Sequence, residues 1–468
     1  MTHQQNPLQS INDVHTHFRY WSENWAKIGW LGLKNNPVFM LKQLKKYPWL
    51  NSLMKANELL NMYTGTRKGL YKKANSIAVS SLVSSIVDMV DGIYNHADKL
   101  ILHEDLVPPE ILYGMGLQPW MAEFLGIVIP FLDTEVMERY IDRAENEGIP
   151  ADICSLPKST MGLALSNEMP KPRAIVASNM PCDGGMTSYT LIQKKLQAPI
   201  FRLDIPYNFY NEKAIQYFVG ELRKLIKWLE EHTPGKMDWD RMKEICEERN
   251  RMVELQLEIW ELAKMKPSPM AGEAMYLPGM LYGIALPGQK RGTNAMKKIL
   301  NIAKKMYEDN QSAVPDEKYR VILWNPPTLI FPDLFVWAEQ KYGVAMLMDM
   351  LSFNRHPLID TSSHDNILRG LAQIIMQGPM ARHTRGPAEN FFSDIFYLHE
   401  AYDIDMIWMA GHIGCKNTQA LMGMFREKCR DRNLPLLNIN YDLSDSRIVP
   451  PANIKKQVDE FMETVMQA

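Results

Sequence analysis

Residues 173–182 read RAIVASNMPC and residues 405–415 read DMIWMAGHIGC. Each is a short apolar run fit for a buried strand, ending in a small loop and a cysteine. A helical pattern follows each cysteine. A proline and a second apolar run come next, PIFRLDIPY (199–207) in the first case and PLLNINYDL (435–443) in the second. Strands alternating with helices of this length predict parallel sheets with right-handed crossovers. The repeated order suggests two related units, although any two strand–helix–strand units can echo each other by chance.

Working outward, strands are expected at 173–178, 199–203, 320–324, 344–348, 404–409 and 436–439. Helices are expected at 186–196, 211–232, 238–265, 331–341, 365–377, 388–401, 417–430 and 452–466. Residues 76–150 read as helices joined by proline turns, with Pro108-Pro109 opening a helix at Glu110. The fold class is therefore α/β: two Rossmann- or flavodoxin-like parallel-sheet domains facing each other, with an N-terminal helical extension. The expected boundaries are 1–75 for a basic helical extension, 76–270 for a helical lead-in plus the first α/β domain with Cys154 and Cys182, and 271–468 for the second α/β domain with Cys415.

The 468 residues allow two or three domains, each with its own core. With 46% hydrophobic and 23% charged residues, the chain is ordinary globular protein and not a disordered one. A net charge of −2 gives no whole-chain case for nucleic acid. Residues 1–75 are the exception, because their lysines and arginines outnumber Asp13, Glu23 and Glu58. That segment is either a solvated helical face or a surface for an anionic ligand or acidic partner. The N-terminus carries no signal-peptide pattern. The apolar windows 76–94 and 111–132 are both interrupted by polar residues or prolines, so a cytoplasmic protein without a membrane span is expected. A content of 32 methionines, which oxidise readily, suits life without oxygen.

Five cysteines, with no CxxC pair, exclude a disulfide scaffold. Cys182 and Cys415 each fall between a strand and a helix, where ligands collect in open parallel sheets and the helix dipole favours a thiolate. Cys154 lies at a loop-to-helix junction in ADICSLPKS. Cys246 and Cys429 lie inside helices and read as packing residues. A structural zinc site wants four ligands, usually from close pairs. His412 is a candidate fourth ligand but stands only three residues from Cys415. An iron–sulfur cluster accepts widely spaced cysteines. The spacing leaves two readings, a three-cysteine cluster or three buried structural thiols.

The sequence resembles the 2-hydroxyacyl-CoA dehydratase and class I benzoyl-CoA reductase family. Four stretches carry the likeness: PEILYGMGL (109–117), DICSLPK (152–158), NMPCD (179–183) with DIPY (204–207), and GCK (414–416) followed by NYDLSDSR (440–447) and ANIK (452–455). KPSP (266–269) also fits. The resemblance covers about residues 100–468. It implies a [4Fe–4S] cluster held by Cys154, Cys182 and Cys415, and a paralogous iron–sulfur subunit as partner, in a heterodimer or a homodimer. It also implies a separate ATP-hydrolysing iron–sulfur activator and an acyl-CoA substrate. Ketyl-radical dehydration, or reduction of an aromatic acyl-CoA, is the implied chemistry; an electron-relay or double-cluster protein that binds no substrate is the rival. The chain itself has no GxxxxGK[ST] loop. Where the family often has hydroxyl residues before the P-x-E turn, this chain has LHEDL (102–106).

Several side chains remain as candidates. Glu110 would be an acid/base residue in the crevice or merely a favourable charge in a first helical turn. Lys158 and Lys416 follow their cysteines and would offset cluster charge or lie at the surface. Arg382, His383 and Arg385 could hold CoA phosphates. Asp13-Val14-His15-Thr16-His17 contains a short HxH pair. Trp324-Asn325-Pro326-Pro327 ends a strand, as crevice lining or as a structural turn.

Overall fold

The computed structural model describes residues 7–121, 123–207, 211–325, 333–384 and 386–467. Two four-stranded sheets, each wholly parallel, dominate it. The first holds β1 (Leu100–His103), β2 (Gln118–Met121), β3 (Ala174–Ser178) and β4 (Ile200–Leu203), in the order β2-β1-β3-β4. The second holds β5 (Tyr319–Trp324), β6 (Val344–Asp349), β7 (Met406–His412) and β8 (Leu436–Tyr441), in the order β6-β5-β7-β8. The two orders are the same when counted within each sheet, so the echo seen in the sequence is a repeated topological unit. In each sheet the winding reverses between the first and third strands, and the crevice at such a reversal is where ligands bind.

Six of the eight strands lie where the sequence predicts them. β1 and β2 correct the helical reading of 76–150. Both are four residues long, and β2 contains Pro119, which a strand tolerates at a sheet edge. The central strands β3 and β7, together with β6, are buried along their whole length, as sheets covered by helices on both faces require. Side-chain caps start several of the covering helices: Asn211 accepts from Ala214 N–H, Asp238 from Arg241 N–H and Ser363 from Asn366 N–H.

The N-terminal helices Pro7–Lys34, Pro37–Lys46, Trp49–Leu53 and Glu58–Thr64 lead into Gly69–Asn95. That last helix runs through residue 75, so the chain has no structural break there. It is long and apolar enough to cross a membrane, and 83% of its most apolar stretch is buried inside the protein. The extension is tied to the second unit through Arg67. Its Nε donates to Glu339 Oε2 at 2.9 Å, its Nη2 to Glu339 Oε1 at 2.6 Å, and its Nη1 to Glu273. Tyr71 Oη donates to the same Glu339 oxygen at 2.7 Å. All four side chains are buried.

Candidate active site

Cys154, Cys182 and Cys415 are each the residue immediately before a helix: Ser155–Leu165, Asp183–Leu196 and Lys416–Arg430. Three sets of unpaired backbone N–H groups and three positive helix ends therefore gather at the three sulfurs. Cys182 accepts from Gly185 N–H at 3.4 Å, and Cys415 accepts from Thr418 Oγ1 at 3.1 Å. Asn325, just past β5, donates to Thr418 Oγ1 at 2.6 Å and to the Ala410 carbonyl at 2.9 Å, which fixes that threonine. The three thiols are half-buried, unlike the fully buried Cys246 and Cys429.

The two units meet closely here. A Cβ on Gly414 would stand 2.9 Å from Cys154 Cα, so only glycine lets the Cys415 loop approach the Cys154 loop. Burial raises the Cys154 and Cys182 thiols, and the negative charge of neighbouring cysteines raises them further. That mutual influence is a sign of three sulfurs sharing one locality; a bound cation would reverse it.

All three cysteines line one cavity of about 800 Å³, within the size range of small-molecule sites. Much of its wall is apolar, and the remainder is unusually ionisable: Glu104, Asp105, Glu110, Glu123 and Arg249. Glu110 Oε1 is 3.2 Å from Arg249 Nε, and both side chains are buried. The pairing is a charge contact with poor hydrogen-bond alignment, since Arg249 Nε has no hydrogen-bond partner. Arg249 also donates through Nη1 to the Pro357 carbonyl at 2.6 Å. Burial holds Glu110 above the usual carboxylate range, with Arg249 opposing that rise.

The sequence matches the 2-hydroxyglutaryl-CoA dehydratase D-component over residues 106–465. The chain belongs to this family. It is 26% identical over 216 residues to the (R)-phenyllactyl-CoA dehydratase alpha subunit of Clostridium sporogenes, covering 44% of this chain and 51% of that one. It is 25% identical over 215 residues to the (R)-2-hydroxyisocaproyl-CoA dehydratase alpha subunit of Clostridioides difficile, covering 43% and 52%. It is also 23% identical over 356 residues to a benzoyl-CoA reductase subunit of Thauera aromatica, covering 69% and 79%. The chain thus spans about half the length of the two dehydratase subunits.

The other sequence candidates divide in this dehydratase-family chain. Lys158 is buried and donates to Glu145 Oε1 at 2.6 Å and to the Ala151 carbonyl at 2.8 Å. Lys416 stands at the cavity mouth, 3.0 Å from Asp152 on the Cys154 loop. Arg382 and His383 are buried and both bond Asp394, so they hold the fold at that point. Arg385, Pro326 and Pro327 lie outside the described residues. Asn325 is buried and supports the site through Thr418, while Trp324 is buried against His383 and Phe391. His15 and His17 lie on one helix, where two-residue spacing turns them about 200° apart, which corrects the HxH reading. His412 Nε2 is 3.1 Å from Cys154 Sγ. It lines the same cavity as the three cysteines.

Sequence reading missed Arg249, Glu123 and the Glu104–Asp105 pair. Arg249 had a signal: buried Met242, Cys246, Arg249, Val253, Gln256 and Trp260 recur at helical spacing. A charged side chain and an amide on an otherwise apolar stripe mark a polar function in the core.

Proposed function

We propose that this chain is the iron–sulfur subunit of a 2-hydroxyacyl-CoA dehydratase-type enzyme. In this reading Cys154, Cys182 and Cys415 hold a [4Fe–4S] cluster, and one iron is left without a protein ligand. The observation that carries the proposal is three cysteines, each at a helix N-terminus, on the wall of one cavity that also presents a buried Glu110–Arg249 pair. Among the described residues, no three His, Cys, Asp or Glu side chains are grouped for a single metal ion. A cubane cluster makes a different demand, because each thiolate takes a separate iron at its own corner. Three solvent-reachable thiols that form no disulfide, backed by helix dipoles, fit that demand.

The bound cluster would supply low-potential one-electron chemistry to a CoA thioester. The chain's own residues have other tasks in this proposal. The apolar wall excludes water from the acyl group. Glu110, whose carboxyl burial raises above its usual range, exchanges a proton with the substrate, and Arg249 limits how far its basicity rises. A paralogous subunit and an ATP-hydrolysing activator complete the system, since family relatives are named as alpha subunits and this sequence lacks a phosphate-binding loop.

A second reading, an aromatic acyl-CoA reductase subunit, is favoured by the longer match to the benzoyl-CoA reductase subunit. Anaerobic reconstitution tests both. With its partner and activator, the protein is given 2-hydroxyacyl-CoA esters or benzoyl-CoA, and the products and cluster spectra are recorded. Dehydration of a 2-hydroxyacyl ester supports the first reading; reduction of benzoyl-CoA alone replaces it with the second. No spectral change with any thioester removes the substrate role and leaves electron relay.

A further inference from the structure

The helix Pro7–Lys34 lies outside the family match and has two apolar faces. One faces the body, through buried Tyr20 and Leu31 and through Asp13, which accepts from Gly69 N–H at 2.7 Å. Lys27 and Lys34 lie on that side too, donating to Ser84 and Asp91. The opposite face carries Ile11, Val14, Phe18, Trp21 and Trp25, exposed by 63, 68, 63, 40 and 37%. Their spacing alternates three and four residues, which is the a/d seam of a coiled coil over about 21 Å of helix. The strict alternation is the pattern by which one helix packs on another; Trp30 and Leu33, exposed by 66 and 69%, lie to one side of the seam, with Arg19 as the exposed cation on that flank.

We infer that this seam binds the same seam of a second copy of the chain, in antiparallel register about a two-fold axis at Phe18. Antiparallel pairing sets Ile11 near Trp25 and Val14 near Trp21 of the second copy, small against large. A parallel pair would force tryptophan onto tryptophan. The flanking positions His15, His17 and Ser22 carry no fixed charge, so two identical helices meet without strong repulsion. Gly29 continues the same face opposite the start of the second copy's helix, and a Cβ on it would meet nothing within 4 Å, so a partner backbone can come close there. With aromatic side chains contributing about 150–250 Å² each when buried, the five residues offer on the order of 500 Å² per chain. About 1,000 Å² for the pair meets the lower bound of a specific interface.

The test uses the full chain, anaerobically, by sedimentation velocity across a micromolar concentration range. The wild type is expected to be a dimer. Phe18→Glu is expected to weaken it about 100-fold or more, because two charges are buried on the axis, with far-UV circular dichroism unchanged. Phe18→Cys, treated with the thiol oxidant diamide, which takes up the two protons and two electrons released, should form an intermolecular disulfide between the two substituted positions, mapped by mass spectrometry, since only a residue on the axis meets itself at bonding distance; this variant decides the matter if Phe18→Glu misfolds. A monomeric wild type, a dimer indifferent to Phe18→Glu, or cross-links lacking the substituted position would overturn the inference. So would Phe18-dependent binding only to a co-expressed paralogous subunit or to anionic vesicles.

Discussion

His412 Nε2 lies 3.1 Å from Cys154 Sγ, while Leu443 N–H donates to His412 Nδ1 at 3.1 Å. The backbone donor takes the Nδ1 lone pair, so the neutral ring carries its proton on Nε2 and points it at the sulfur. Burial lowers the ring's basicity, which keeps it neutral. Cys154 comes from the first unit and His412 from the second, so one N–H···S contact spans the junction. Under the cluster proposal, that donor stabilises the more electron-rich, reduced form. His412→Ala should retain iron and lower the midpoint potential by on the order of 40 mV, taking a net hydrogen-bond worth of about 1 kcal/mol on a one-electron couple. Potentiometric titration followed by EPR measures it. An unchanged potential would mean the contact does not reach the cluster.

Iron content separates the cysteines. Replacing Cys154, Cys182 or Cys415 by Ala should each abolish cluster retention, as measured by iron and sulfide per chain after anaerobic purification. Cys246→Ala and Cys429→Ser should leave iron near the wild-type value, because both lie in apolar cores and neither lines the cavity. Loss of iron in Cys246→Ala with retention in Cys154→Ala would move the site elsewhere.

How much of this was legible follows from element length and pattern. β5, β6, β7 and β8 are six or seven residues long; the first three are nearly all apolar at their centres and β8 alternates apolar with Asn438 and Asn440, so they declare themselves. β1 and β2 have four residues each and flank a proline-rich helix start, which masks them as helix. The cysteine trio was legible because each thiol precedes a helical pattern. The Glu110–Arg249 pair joins residues 139 positions apart, a tertiary relation that no local spacing reports.

Arg67 offers a test of whether the N-terminal helices are integral. It is the cation between buried Glu273 and Glu339, and burial raises the Glu273 carboxyl despite the nearby guanidinium. Arg67→Leu leaves two buried acids without their cation. Breaking such a pair costs about 3–5 kcal/mol. Urea unfolding should show that loss, together with exposure of the extension to limited proteolysis. A loss below about 1 kcal/mol would show the acids relaxing to their neutral forms at little cost.

Glu123 gives the stability a pH dependence. Burial pushes its carboxyl up to about 8, whereas an unfolded glutamate titrates near about 4.3. Tyr189 Oη is within reach of both Glu123 and the His103 carbonyl, yet has one proton. A protonated Glu123 donates to Tyr189, and Tyr189 donates onward to His103, so every group is satisfied. Between about pH 4.3 and 8 the folded state holds a proton that the unfolded chain has released. This contribution therefore falls as pH rises through that window and levels off above it. Glu123→Gln, whose amide donates at any pH, should gain stability relative to wild type from pH 5 to 8.5, read as the difference in urea midpoint. A constant difference would mean Glu123 is already ionised at pH 5.

The Glu110–Arg249 pair separates chemistry from architecture. Glu110 sits in the first turn of the six-residue helix Pro109–Gly114, and its charge is balanced across the cavity wall by Arg249. If it were only a structural partner, Glu110→Gln would cost stability and leave turnover largely intact in the surviving fold. If it exchanges a proton with the bound acyl group, the amide keeps the shape and loses the proton, and positioned acid–base groups contribute about 10²–10⁴-fold. We expect turnover of Glu110→Gln to fall by about 100-fold or more, with iron content and cluster potential near wild type. Glu110→Ala should add a stability loss of about 3–5 kcal/mol, because Arg249 is then a buried cation alone. Arg249→Met should reverse the electrostatics: without the guanidinium, Glu110 rises further, and the limb of the pH–rate profile that reports it moves to higher pH. An unmoved profile in Arg249→Met, together with near-normal turnover in Glu110→Gln, would return the pair to a purely structural role.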